Sequence, residues 1–337
     1  MNSFQRRGAL LAALACVLVG GSFTANGALT GYPHAGGQAL RYGIAFVLLA
    51  LITLRGATRA AVRLRALTGR QWLRIAVLAA TGMVGFNLSI LAAEATAEPA
   101  VPGVLVGCAP IVVAVLVPLL NGRRPERAVP AGALLVAGGA FAVQGWGGTD
   151  TAGLVWSVAA LAGEVAFAVV AVPLVGPLGP RLLSTCVCGL ATAEAGLLGL
   201  LLDGRAALRM PEVSEAVALG WQVVVATVIG FVCWYAGMQR IGAERATLFS
   251  GLIPVSAALT APLVGVGTFG PGRLGGSLLV AAGVAVGSGM LARRTPSEHS
   301  GTVAARNSAP PAYEDSAAGE TRNPVTLPVT AGGSRPG

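Results

Sequence analysis

The sequence predicts an all-α polytopic membrane protein whose ten transmembrane helices form two inverted five-helix repeats. Three observations carry this expectation. Of 337 residues, 54% are hydrophobic and only 11% charged, with a mean hydropathy of +0.73, outside the usual range of soluble domains. Apolar runs of roughly 18 to 24 residues recur, and at 1.5 Å per residue each covers a hydrocarbon core of about 30 Å. The chain is also written twice. Gly107, Pro110, Pro118 and Leu119 recur as Gly251, Pro254, Pro262 and Leu263, and the run from Gly132 to Gly139 recurs from Gly276 to Gly283 at the same offset. Shared composition scatters matches, whereas a duplication keeps prolines and glycines in register.

The first repeat, 9–146, places spans at 9–30, 35–54, 72–93, 98–120 and 128–146. The second, 152–292, places them at 152–173, 181–202, 216–238, 244–265 and 272–292. Continuous apolar runs, rather than strict alternation, exclude a porin-type barrel. Arg6-Arg7, an apolar stretch and small residues around Ala25 to Ala28 resemble a cleavable leader. Five spans in the second half require five in the first, so this run is read as a retained helix behind a cytoplasmic segment, 1–8. An odd number of spans per copy inverts the second copy relative to the first, the layout of transporters whose sites lie between their halves. Residues 293–337, rich in Ser, Pro, Gly, Ala and Thr, are expected to form a disordered cytoplasmic tail.

The net charge of +9 comes from arginine alone. Arg6, Arg7, the basic residues from Arg55 to Arg74, Arg123, Arg124, Arg127, Arg181, Arg240, Arg245, Arg293 and Arg294 fall on one side of the predicted membrane, and only Arg205, Arg209 and Arg273 on the other. This asymmetry puts both termini in the cytoplasm and argues against a nucleic-acid partner. The run from Arg55 to Arg74 either touches anionic headgroups or only sets topology. An arginine-only basic set is consistent with a GC-rich bacterial genome and hence a bacterial inner (plasma) membrane.

Ionisable groups in hydrocarbon cost several kcal/mol unless they face a cavity or a partner, which makes them functional candidates. Glu164 falls in the middle of the sixth span, Glu194 in the seventh, and Arg41 in the second with Gln38 one turn before it. The glutamates admit three readings: proton-coupling groups, ligands of a cationic substrate, or structural groups, one of them paired with Arg41. Arg41 itself is a structural ion-pair residue or a bidentate ligand for carboxylate or phosphate. Asn26, Asn87, Gln144, Trp234 and Tyr235 form a second tier, the aromatic pair serving either to stack on substrate or to pack the bundle. Pro110 with Pro118, and Pro254 with Pro262, break the ladders of related helices and are candidate hinges. Gly103-x-x-x-Gly107, Gly272-x-x-x-Gly276 and Gly283-x-x-x-Gly287 allow close helix contact, within one bundle or across a homodimer. Cys16, Cys108, Cys186, Cys188 and Cys233 lie in apolar spans without metal-ligand spacing, and no P-loop, HExxH, nucleophile elbow or dinucleotide fingerprint occurs. No enzyme activity, cofactor or metal is expected.

The five-plus-five layout over residues 8–292 resembles the EamA family of the drug/metabolite transporter superfamily. Gly20-Gly-Ser-Phe23, Arg41-Tyr42, the proline at Pro110 repeated at Pro254, and glycine-rich fifth and tenth spans carry the resemblance. The Gly-Glu pair usual after that family's fourth and ninth helices is replaced by Asn121-Gly122-Arg123-Arg124 and Gly265-Val266-Gly267-Thr268. The resemblance implies a secondary transporter, an exporter of small metabolites, amino acids or drug-like compounds, working by alternating access about a cavity lined by spans one, two, three, six, seven and eight. A receptor or scaffold that binds without translocating is the alternative. An intramembrane enzyme would have only Glu164 and Glu194 for its chemistry.

Overall fold

In a computed structural model of the chain, residues 3–22, 25, 28–29, 31–54, 56–97, 100–145, 148–260 and 270–288 are described, and every regular element among them is helical. In chain order these are α1 (Ser3–Ser22), α2 (His34–Leu54), α3 (Ala57–Arg65), α4 (Gly69–Glu94), α5 (Ala100–Gly107 continued by Ala109–Leu120) and α6 (Ala128–Gln144). Then follow α7 (Thr151–Leu202), α8 (Val213–Ile241), α9 (243–260) and α10 (Pro271–Gly287). Among the described residues, α1, α2, α4, α5, α7 and α8 are long and apolar enough to cross a membrane, while α6 and α10 are shorter apolar helices. The expected tail, residues 293–337, lies outside the described residues.

The 52 residues of α7 would reach about 78 Å if straight, far beyond a bilayer. Gly179, at φ 74 and ψ 163, breaks the helix into arms at 151–178 and 180–202. That backbone lies in the left-handed region that glycine occupies without penalty, and Pro180 follows it. The first arm packs along α4, with Gly82 against Phe167 and Gly153 against Ala97. The second packs along α2, with Gly189 against Phe46 and Gly199 against the backbone of Gly36, so the arms run in opposite directions. The sequence expectation left 174–180 as a connection. Pro173 and Pro177 instead lie within the helix, since a membrane helix tolerates a missing rung, and the connection shrinks to Gly179.

Two further differences have local causes. The basic segment before α4 folds as α3, whose last turn carries Arg63 and Arg65. Thr68 then caps α4 reciprocally, its hydroxyl accepting from the Gln71 amide at 3.3 Å while Gln71 Oε1 accepts from the Thr68 amide at 2.9 Å. The described part of α1, Ser3–Ser22, begins before the expected residue 9, and within it Ser22 Oγ donates to the Leu18 carbonyl at 2.9 Å. At the start of α7, Asp150 accepts from the Gly153 amide at 2.7 Å, and that bond holds its carboxyl below the usual carboxylate range.

Irregularities recur at the repeat offset. α4 contains a π-helical segment at Ala80–Gly85, and α8 one at Gln222–Ile229. α5 is interrupted at Cys108, just before Pro110, and α9 contains a 3-10 turn at Thr247–Gly251, just before Pro254. The chain continues as α-helix through Pro118; Pro262 lies outside the described residues.

α6 crosses α10 antiparallel at backbone distance. A Cβ on Gly139 would stand 2.7 Å from the Gly276 carbonyl oxygen, and one on Gly276 the same distance from the Gly139 oxygen. Gly132 and Gly283 oppose one another likewise, at 2.6 and 2.7 Å. Each contact maps onto its reciprocal when the numbering is advanced from one copy to the other. Close approach of this kind is how membrane helices gain packing where the lipid is as apolar as any side chain. A methyl group or larger side chain placed there must push two backbones apart. Gly139→Val is therefore expected to destabilise the protein by about 1–3 kcal/mol and lower its unfolding temperature in detergent. Gly138→Val, whose added Cβ meets only the Leu279 side chain at 3.6 Å, should leave that temperature nearly unchanged.

Candidate functional site

The polar groups of the transmembrane region gather where α2, α4, α7 and α8 meet. On α2, successive turns present Gln38 and the pair Arg41 and Tyr42. Arg41 Nε donates to Thr227 Oγ1 of α8 at 2.8 Å, and its guanidinium lies 5.5 Å from the centre of the Tyr42 ring. The Thr227 hydroxyl also donates to the Gln222 carbonyl at 3.1 Å, five residues back, so the wide turn of the π segment is joined through one threonine to a transmembrane arginine. From α4, Asn87 Nδ2 donates to the Tyr42 hydroxyl at 3.1 Å and to the Met83 carbonyl at 2.7 Å. Tyr42 is almost completely buried, held between this amide and Arg41.

An aromatic cluster continues the site. Phe167 of the first α7 arm lies 5.5 Å from Phe231 and 5.7 Å from Tyr235, and the two α8 rings are 6.3 Å apart, within the range of favourable tilted ring contacts. Glu164, three residues before Phe167, retains partial exposure in the middle of its arm and lies within electrostatic reach of Cys16 on α1. Cys188 of the second arm is within similar reach of Arg41 and Tyr235. Side chains from α1, α2, α4, both arms of α7 and α8 thus share one neighbourhood.

Among the described residues, several buried polar atoms in these helices have no hydrogen-bond partner: Gln38 Oε1, Glu194 Oε2, Trp234 Nε1 and the Tyr235 hydroxyl. A buried unsatisfied polar atom costs about 1–3 kcal/mol, so each of these atoms has a bond to gain from an incoming ligand that reaches it. Neither glutamate forms an ion pair among the described residues, and Arg41 uses a threonine rather than a carboxylate. Glu194 sits half-buried on the second arm near the level where Thr192 meets Gly43. Asn26 lies outside the described residues, and Gln144 is the last residue of α6. Tyr42 entered only beside Arg41 in a family motif and Cys188 only as a cysteine of an apolar span, while Phe167, Phe231 and Thr227 were not singled out from the sequence. Their signal was present as helical spacing, Thr227, Phe231 and Tyr235 standing four residues apart and Phe167 three from Glu164.

At the end away from the arginine clusters, the segment preceding α2 is tied to the segment between α7 and α8. The Tyr32 hydroxyl donates to the Arg209 carbonyl at 2.6 Å, the Arg209 guanidinium lies 4.7 Å from the Tyr32 ring centre, and it forms an ion pair with the largely buried Glu215. Glu215 also accepts from the Glu212 amide at 2.8 Å. At the arginine-rich end, Arg123 pairs with Glu244 at 2.9 Å and Arg245 with Glu126 at 2.6 Å, joining the α5–α6 connection to the start of α9.

Residues 6–144 match the model of the EamA-like transporter family. A solved structure titled "Crystal structure of protein" superimposes with a TM-score of 0.72 over 85% of this chain and 99% of its own, at 21% identity, and so shares the fold. No curated protein matches the chain.

The hydrogen bonds separate two classes of substitution. Tyr42→Phe removes the acceptor of the Asn87 amide and is expected to cost about 1 kcal/mol of stability. Tyr235→Phe removes a polar atom that has no partner and should leave stability unchanged or higher. Thermal unfolding of the detergent-solubilised protein without added ligand measures both; a loss with Tyr235→Phe equal to that with Tyr42→Phe would contradict the assignment.

Proposed function

Taking residues 6–144 as part of the EamA-like transporter family, we propose that the protein is a secondary transporter that exports small organic metabolites, amino acids or drug-like compounds, by alternating access. The observation that carries the mechanism is the α6–α10 crossing. Its contacts are reciprocal under the repeat offset, as expected of two halves related by a two-fold axis in the membrane plane. With α7 counted as two crossings, α1, α2, α4, α5, α6, α8, α9 and α10 complete ten, and each half is five. The arginine-rich end then faces the cytoplasm together with both termini, and the membrane is a bacterial inner membrane.

Substrate binds among Gln38, Arg41, Asn87, Trp234 and Tyr235, against the aromatic surface of Phe167 and Phe231. Arg41, steadied by Thr227, offers its remaining guanidinium donors to a carboxylate. Glu164 exchanges a proton or a substrate cation as its surroundings change between the two access states, and Glu194 supports it from the second arm. The tie through Tyr32, Arg209 and Glu215 closes the outer end in the state described, while α1, α2, α7 and α8 part toward the cytoplasm. The interruptions before Pro110 and Pro254 act as matched hinges, with Pro118 further along the same helix as Pro110.

Uptake of labelled amino acids into proteoliposomes under an imposed pH gradient tests this reading. Transport is expected to follow the gradient, and Glu164→Gln to remove the dependence on pH with at least a tenfold loss of rate. Transport that ignores the gradient and survives Glu164→Gln together with Glu194→Gln would sink proton coupling through these carboxylates.

A further inference from the structure

A second site lies at the arginine-rich end. A cavity of about 640 Å³ opens there between α1, α2, α3, α7 and α8, and four arginines line it: Arg59 and Arg63 from α3, Arg181 from the first turn of the second α7 arm, and Arg240 from the last turn of α8. Thr53 and Gln239 add polar groups, while Leu11, Ile52 and Val232 form an apolar wall. Among the described residues no acidic side chain lines the cavity and none of the four arginines is in an ion pair.

Topology alone asks for positive charge at a cytoplasmic surface; it does not ask that guanidinium groups from three separate elements surround one concavity. Two are fixed by their surroundings. Arg63 Nη1 donates at 2.9 Å to the Leu178 carbonyl, which the break at Gly179 exposes, and Arg240 Nη1 donates at 3.2 Å to the Ala236 carbonyl with its guanidinium 5.5 Å from the Phe4 ring centre. Arg59 and Arg181 are exposed at the rim. Like charges held this way repel one another, and an anion between them relieves the repulsion while satisfying planar donors that suit phosphate and carboxylate oxygens.

We propose that this cavity binds an organic anion, a phosphate or carboxylate group carried on a small apolar body, with the arginines on the charged group and the Leu11, Ile52 and Val232 wall against the body. The chemistry fits a soluble metabolite or the headgroup of an anionic lipid. The site is separate from the central cluster and stands whether or not the protein translocates anything.

The test is equilibrium binding of phenyl phosphate to the full chain in nanodiscs of phosphatidylcholine, with benzyl alcohol as the uncharged comparison. Phenyl phosphate should bind and benzyl alcohol should not. Arg59→Gln and Arg181→Gln, both exposed and without a side-chain hydrogen bond among the described residues, should each weaken binding about tenfold without lowering the unfolding temperature. Adding phosphatidylglycerol to the nanodiscs separates the sources: loss of phenyl phosphate binding assigns the site to a lipid headgroup, and unchanged binding assigns it to a soluble anion. Equal affinity in the wild type and in Arg59→Gln/Arg181→Gln, or no binding of phenyl phosphate in lipid free of anionic headgroups, would overturn the proposal. Binding is read without a gradient, so its failure is distinct from a failure of transport.

Discussion

The constraint on which this structure rests is the distance between α6 and α10. Hydrocarbon gives helices no hydrophobic reason to associate, so contact must come from surfaces that fit closely enough for dispersion forces to add. Gly132 and Gly139 on one helix and Gly276 and Gly283 on the other remove the side chains that would hold the backbones apart. The last turn of α10 extends the seam, where Gly287 lies against Gly132 and the Leu248 side chain. Because each glycine pair is the image of the other, the seam holds α6 and α10 in a fixed antiparallel relation. The clefts from which a site is made then form away from it, among α1, α2, α4, α7 and α8.

Much of the helical layout was legible because the bilayer imposes a length on each apolar run, and because α2, α4, α5, α6 and α8 are separated by polar or glycine-rich connections that no span tolerates. What was not legible has a common cause. The single-residue turn at Gly179 lies among three prolines, Pro173, Pro177 and Pro180, which hydropathy and turn chemistry read as a loop; only the tertiary fit against α2 and α4 keeps the first arm helical so far. The π segments leave no mark in composition, since the wide turns of Ala80–Gly85 and Gln222–Ile229 are set by neighbouring helices. The helix α3 was hidden by its arginines, which spoke first of topology.

The candidate site divides the same way. Glu164, Glu194 and Arg41 were visible because charge in hydrocarbon is costly wherever it stands. Thr227 became visible only through the 2.8 Å bond that Arg41 makes to it. Phe167 and Phe231 are ordinary apolar residues in ordinary apolar helices, and their meeting depends on the level at which α7 and α8 cross. Sequence thus located the expensive groups, while the inexpensive ones that give the site its shape depended on the fold. The electrostatics sharpen the picture: among the described residues no carboxylate meets Arg41 or the arginines around the second cavity, so at both levels the positive charge is not balanced by the described acids.

The π segments have a mechanical side. A π turn holds one residue more than the α turn it replaces, so α4 and α8 each carry a spare residue near mid-length. If that residue passes one turn along the helix, everything between its old and new positions rotates by about 100° relative to the flanking turns without breaking the backbone ladder. Thr227 lies in one such segment, and the Met83 and Asn87 pair straddles the end of the other. The two helices therefore store rotation as well as bending, and a quarter-turn of either would carry Arg41 or Tyr42 off its partner while the glycine seam stays still.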